Sequence, residues 1–351
     1  MRRIITISYT SLNAGGGVPK FNRDLHNAFF DRECVHFCYD DVALKIPANG
    51  NPHALPEWEK ARILNNYLLA TKKITAEDIV IADGFWAIGL EHLPFAISHS
   101  HGIWGHVTKA DVDAGKKPEN ELLHNAQISF RKRWTALNKP LTAVSNFISY
   151  EMNIQWGFKS TVINNGVDTN VWKPVKKHDN QSHIIYIVHG INDKGNINKG
   201  WKHIEAIESY WHFRSDRPVV IKSLDEFAKE TGLNKQDALA NADLVVHPSG
   251  FEGNSMFILE ALACGIPIIA YDVGYLYDFG LNELKHDCGE IIDSRERSPE
   301  RTLQAVNRFI FLSEKQKNEC SRLSRLMANS IDQFNKDWRN YIERLENGRN
   351  K

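Results

Sequence analysis

HPSGFEGNSMFILEALACGIPIIAYDVG, residues 247–274, is the stretch from which the rest of the chain is read. A run of the buried-strand kind precedes the central segment and another follows it, and a helix is expected between them. Glu252 falls in the loop before that helix, and Glu260 about two turns into it. Gly253, Asn254 and Ser255 lie between the two carboxylates. A helix N-terminus presents free N–H groups and the positive end of the helix dipole, which suits phosphate. A carboxylate can accept two hydrogen bonds from a ribose or sugar diol. The place is therefore suited to a charged, polyhydroxylated ligand.

Outward from this stretch, the chain has 351 residues, too many for one ordinary core, so two domains are expected. With 42% apolar residues, 25% charged residues and a formal net charge of zero, it is globular and lacks a bulk attraction for nucleic acid or acidic lipid. A local basic patch stays open, RKRW at 131–134 being the candidate: either a solvated helix face or a contact for an acceptor's phosphate. The opening MRRIITISYTSLN has too short an apolar run for a signal peptide and reads as a first strand. No stretch approaches the roughly 18 apolar residues of a membrane span. Cys34, Cys38, Cys264, Cys288 and Cys320 form an odd, scattered set, which points to free thiols and cytoplasmic residence. Cys34, His36 and Cys38 make half a metal site with no matching second pair, so no metal is expected there.

Uniformly apolar strands alternate with amphipathic helices throughout, which predicts parallel sheets covered on both faces. The expected class is α/β, with two doubly wound, Rossmann-like domains facing across a cleft and ligands at the carboxyl ends of the strands. Residues 1–172 form the first domain, 173–183 a polar linker, 184–330 the second domain, and 331–351 a C-terminal helix packing back on the first.

The pattern Glu252-Gly253, then Glu260-Ala261-Leu262-Ala263-Cys264-Gly265 with Pro267, Ile269 and Ala270, resembles the signature of family-4 retaining glycosyltransferases of the GT-B fold. His247-Pro248-Ser249 and the preceding NADLVV fit it as well. So do Ser145 in AVSNF and Asn165-Gly166-Val167-Asp168 ahead of the linker. The resemblance spans nearly the whole chain, more loosely in the first domain.

It implies roles for particular residues. Glu260 would hold the donor ribose diol. Glu252 would contact the transferred sugar or steady positive charge developing on it. Asn254 and the N–H groups of Ser255, Met256 and Phe257 would receive donor oxygens. Gly16 and Gly17, in the loop after the first strand, would let the backbone approach the diphosphate. His101 would stand near the transferred sugar, with His99 as second choice; Trp104 and His106 belong to the same HSHGIWGH run. Asp83, in Asp83-Gly84-Phe85-Trp86, is equally a structural residue or an acceptor contact. Lys199-Gly200 matches the family's Lys-Gly step, where the lysine neutralises the departing diphosphate. The arginine usual ahead of that step is replaced by His189-Gly190-Ile191-Asn192. Lys194 and Lys222 are further candidates for the missing charge. With little room for a base-clasping strand and loop, the base is expected to rest on backbone near Ser223-Leu224.

The expected activity is metal-independent transfer of a hexose or pentose from a nucleotide-diphosphate sugar to a hydroxyl acceptor with retention. The nucleotide sugar is substrate, and no cofactor is expected. The acceptor is a surface glycan or lipid precursor, or a small metabolite. Alternatives are a transferase acting on a modified nucleic-acid base, which the neutral charge disfavours, and an epimerase or phosphorylase on the same scaffold. A non-catalytic nucleotide-sugar-binding protein is a third. Membrane contact is at most peripheral, and donor sugar, base and oligomeric state stay open.

Overall fold

A computed structural model describes residues 1–41, 43, 55–103, 108–113, 115, 117–118, 120–175, 184–191, 194–195, 197–212, 214, 218–280 and 289–348. Trp104, His106, Asn192, Cys288 and most of the expected linker, 176–183, lie outside these. The chain divides into two compact units, the first being residues 1–165 with 332–351 and the second residues 166–331. The division thus falls inside the Asn165-Gly166 step, before the 172/173 boundary read from composition.

The first unit carries β1 (Ile4–Ser8), α1 (Gly17–Ala28), β2 (Cys34–Cys38), α2 (Glu57–Ala70), β3 (Ile79–Asp83), β4 (Ala96–Ser100), α3 (Lys109–Asp113), α4 (Glu121–Ala136), β5 (Leu141–Ala143), α5 (Asn146–Trp156) and β6 (Thr161–Val162). Its strands form one sheet in the order β2-β1-β3-β4-β5-β6, each pair parallel. Ile4, Ile5 and Ile7 of β1 and Ile79, Val80 and Ile81 of β3 are all buried, because helices cover both faces of a parallel sheet.

The second unit carries β7 (Ile185–His189), α6 (Trp201–His212), β8 (Val219–Ser223), α7 (Leu224–Thr231), α8 (Lys235–Asn241), β9 (Leu244–His247), α9 (Met256–Ala263), β10 (Ile268–Tyr271), α10 (Tyr277–Gly280), β11 (Gly289–Ile292), α11 (Pro299–Ile310) and α12 (Glu314–Leu326). Its sheet runs β11-β10-β9-β7-β8, again all parallel. Period-2 alternation sorts the side chains: Val188, Val245, Ile268, Ala270 and Ile291 meet Leu239, Leu259 and Leu262 on one face. Ile187, Leu244, Val246, Ile269 and Tyr271 meet Ile204, Ile207, Val306 and Phe309 on the other.

Within each unit the strands follow the same spatial order, second, first, third, fourth, fifth. The order reverses between first and third strands, and that switch point is where doubly wound sheets open a crevice at their carboxyl ends. In the second unit the switch lies between β7 and β9.

A last helix, α13 (Ile331–Gly348), buries Phe334, Trp338 and Ile342, an every-fourth-residue stripe. The Trp338 ring meets Phe21 at 5.9 Å and His99 at 5.3 Å, and Phe334 meets Phe21 at 5.8 Å. Arg32 donates two bonds to Glu346 at 3.1 and 3.0 Å, fixing the far end of the helix to the first unit. At the two ends of the second unit, Val167 pairs with Ser330 in an isolated parallel bridge. Its amide donates to Asn329 O at 3.0 Å, and its carbonyl accepts from Ile331 at 2.8 Å.

Candidate active site

The crevice between β7 and β9 brings Lys199 and Glu252 together. β7 ends at His189 and leads into a turn that closes with a 3-10 segment, Ile197–Lys199, before α6. β9 ends at His247 and leads through 248–255 into α9. Lys199 Nζ donates to Glu252 Oε1 at 2.6 Å, and His247 Nε2 stands 3.2 Å from the same oxygen. Burial would push the Glu252 carboxyl up, but the hydrogen bond and charge of His247 and the charge and hydrogen bond of Lys199 outweigh it. Glu252 is therefore held well below the usual carboxylate range and is ionised at neutral pH. His247 Nδ1 is buried and has no hydrogen-bond partner among the described residues. His247, Glu252, Ser255, Tyr271 and Tyr275 line a small cavity of about 10 Å³.

Ser255 is the N-cap residue of α9, and its side chain makes no capping bond. The first-turn amides, beginning at Met256, have no carbonyl within the helix to bond, as at every helix start. Glu260 lies on the fifth residue of α9, one turn in rather than two, because the helix starts only at Met256. Asn254 is buried beside these amides in sequence. Phe257 leans over the end of β7: a Cβ on Gly190 would meet its ring at 2.9 Å. His189-Gly190 thus admits an aromatic ring where the family pattern carries an arginine.

The other cation candidates stand elsewhere. Lys194 Nζ sits 4.0 Å from the centroid of the Trp201 ring. Lys222 Nζ is engaged by Glu230 at 2.9 Å and lines an open cavity of about 500 Å³ with Glu208, Trp211 and Val219, along the β8 edge of the sheet. That cavity is larger than the one beside Glu252 but holds neither Lys199 nor Glu252. Ser223 is the N-cap of α7, its hydroxyl and amide both engaged by Glu226 in a capping box.

In the first unit, Gly16 is the N-cap of α1 at φ 104°, and Gly17 opens the helix, four residues before Phe21. A Cβ on Gly16 would meet nothing within 4 Å, so its positive φ, not crowding, requires glycine there. His99 is a core residue: its ring stacks on Phe21 at 4.4 Å, and Nδ1 pairs with Thr142 Oγ1 at 2.8 Å. His101 packs edge-on against Phe21 and His99 but keeps part of its surface exposed. Burial lowers His101 to about 3, so the ring is neutral. Asp83 ends β3 in register with His99. Burial raises its carboxyl to about 7 while the charge of Arg131 pulls the other way.

Arg131 corrects the reading of RKRW. It is fully buried on α4, as is Trp134, while Lys132 and Arg133 face solvent. The i, i+3 spacing turns Arg131 and Trp134 onto the same inward face. Its Nη2 donates to Ser100 Oγ at 2.9 Å. A third cavity, about 530 Å³, opens past the ends of β1, β2 and β3 and is lined by Tyr9, Thr10, Ser11, Tyr39, Asp40 and Trp86, with Lys60. Among the described residues no three His, Cys, Asp or Glu side chains form a metal cage, and no helix is long and apolar enough to cross a membrane. Burial raises the thiols of Cys38 and Cys264 to about 11 and about 12.

Two residues at the second unit's crevice escaped the sequence reading. In sequence His247 reads as part of a motif, not as a partner of Glu252, although its place at the strand end five residues earlier is a usable signal. Arg297 reaches the crevice loops from beyond β11, donating to Pro248 O at 3.1 Å and Asn198 O at 3.3 Å. Nothing local in sequence marks it.

Residues 228–325 match the family described as glycosyl transferases group 1. The whole chain is similar in fold to a sucrose-phosphate synthase from Thermosynechococcus elongatus, at 14% identity and a TM-score of 0.73, covering 99% of this chain and 100% of the other. HepE from Anabaena, in complex with UDP and glucose, is 15% identical with a TM-score of 0.65 over 98% and 100% of the two chains. The lipopolysaccharide outer core galactosyltransferase WaaB, in its apo form, is 15% identical with a TM-score of 0.64 over 97% and 99%. No curated protein matches the sequence. The fold is GT-B, and together with the family match it supports a glycosyltransferase.

Proposed function

We propose that this GT-B chain, with its group 1 glycosyltransferase segment, moves a sugar from a nucleotide-diphosphate sugar to a hydroxyl acceptor with retention of anomeric configuration. The observation that carries the reading is the Lys199–Glu252–His247 cluster at the switch point, beside the start of α9. An ionised carboxylate at that place cannot act as a general acid near neutral pH. It can stabilise the oxocarbenium-like charge on the anomeric carbon, or accept from sugar hydroxyls. Lys199 has three N–H donors, so it can keep Glu252 and still meet a diphosphate oxygen. The first-turn amides of α9 and the dipole behind them favour the same anion.

In the proposed step the bond from the anomeric carbon to the diphosphate oxygen breaks. The acceptor oxygen bonds to that carbon on the same face, and its proton passes to the departing diphosphate. Lys199 stabilises the charge that develops there. Glu260 takes the ribose diol, one helical turn beyond the amides. His101 stays neutral and can share a proton or accept from a sugar hydroxyl. The step as written needs no metal, and residence is cytoplasmic. For the acceptor, the cavity lined by Tyr9, Tyr39 and Trp86 with Asp40 suits a polyhydroxylated ring, since aromatic faces and carboxylates both meet sugars.

A panel of nucleotide sugars scored by thermal shift tests the reading. A donor at 100 times its dissociation constant adds about 2.7 kcal/mol of stability. The donor that shifts the transition should release its nucleotide diphosphate when an acceptor is added, and Glu252→Gln should lose that release while still folding. Full turnover by Glu252→Gln, or a transition that no nucleotide sugar moves, would refute the assignment.

A further inference from the structure

We propose that Arg297 is a positioning residue that locks the two crevice loops together and so sets Lys199 against Glu252. The proposal rests on the proposed function only for the purpose it gives that pair. Arg297 follows a short 3-10 segment, Ser294–Glu296, after β11. Its Nε donates to Pro248 O at 3.1 Å and its Nη2 to Asn198 O at 3.3 Å. One rigid guanidinium therefore spans the loop after β7 and the loop after β9. Asn198 O also accepts the Gly250 amide at 2.8 Å, so the loops are tied directly as well. Lys199 is the residue after Asn198, and Glu252 is the second residue after Gly250.

Two glycines make room for this arrangement. A Cβ on Gly250 would stand 3.0 Å from the guanidinium carbon and from Nε. A Cβ on Gly200 would stand 2.5 Å from Pro248 O and 3.1 Å from Nη2. Gly200 also has φ +79°, a backbone state that other residues rarely adopt. The guanidinium lies where neither neighbour has a side chain. Behind it, Tyr271 places its ring 5.9 Å from the guanidinium carbon and its hydroxyl against the backbone of Ser298, accepting from the amide at 3.2 Å. The backbone immediately after Arg297 is thereby pinned to β10. A lysine could reach one of the two carbonyls but has no planar fork to hold both.

A residue that only stabilised the fold would weaken every property of the unit by the same amount in any background. A positioning residue acts through Lys199, so its effect should vanish once Lys199 is gone. The test is a double-mutant cycle of wild type, Arg297→Lys, Lys199→Met and the double variant. UDP affinity is read by calorimetry and the unfolding midpoint by scanning calorimetry. Arg297→Lys alone should weaken UDP about tenfold. In the Lys199→Met background the same substitution should change UDP affinity less than twofold. Equal losses in both backgrounds, or no loss in either, overturn the proposal. If wild type binds no UDP, the donor's base is not uracil, and the cycle is read from unfolding midpoints alone. There, a midpoint loss from Arg297→Lys that shrinks in the Lys199→Met background supports the clamp, and strictly additive losses overturn it.

Discussion

Replacing Lys199 by methionine takes the cation from Glu252 while keeping most of the side chain's volume. The contact is a charge-assisted hydrogen bond of 2.6 Å, with the Lys199 side chain 41% exposed and that of Glu252 14% exposed. A hydrogen bond to a charged group contributes about 1.5–3 kcal/mol when well shielded. The exposure of the ammonium brings this down to about 1 kcal/mol. For a unit of this size the unfolding midpoint should fall by about 2–4 °C at pH 7. The pH dependence carries the sharper test. Glu252 is held below its ordinary value in the folded chain, so its contribution is complete above the unfolded carboxyl pKa of about 4.3. It is lost as pH falls from there toward the folded value. The gap between wild type and Lys199→Met should therefore be largest at neutral pH and shrink below about pH 4. Scanning calorimetry at pH 7 and at about pH 3 measures it. A gap that is absent at pH 7, or that widens on acidification, would show that Lys199 does not hold the carboxylate.

Two other substitutions probe the frame around the site. Gly274→Ala should lower turnover about tenfold or more, because the new Cβ would meet Glu252 Cβ and Gly253 O at 3.0 Å, at a residue with φ +62°; steady-state kinetics reads it, and wild-type turnover would refute it. Trp338→Ala should cost about 3–5 kcal/mol, since the ring is fully buried against both Phe21 and His99. Denaturant unfolding of the full chain measures this, and a loss under about 1 kcal/mol would mean that α13 does not complete the first unit's core.

The strands were legible because a parallel sheet covered on both faces leaves its members fully buried and mostly apolar, as in IITIS and LVVH. Glu252 and Lys199 were legible because each stands in a short motif beside a strand end or a helix start. What depended on packing was not. Arg131 looked like part of a basic face, yet the side chain three residues from Trp134 turns inward with it. Lys222 looked free to serve the crevice, but Glu230, eight residues on, holds it. α1 begins earlier than its apolar residues suggest, since Pro19 needs no amide partner in a first turn. Arg297 was invisible for a plainer reason: its partners at 198 and 248 are far away along the chain.

The place of α13 bears on how the chain is made. The first unit takes its opening 165 residues and residues 332–351, so the whole second unit is synthesised in between. At about 5–20 residues per second, roughly 10–40 s separate the emergence of α5 and β6 from that of Trp338. Throughout that interval Phe21 and His99 lack the aromatic lid they have at the end. The second unit, by contrast, is contiguous, and the Val167–Ser330 bridge closes it on itself as soon as Ile331 is out. The later half of the chain should therefore settle before the earlier half, the reverse of the order of synthesis. A truncation just before Asp332 should leave the second unit folded and the first one sticky.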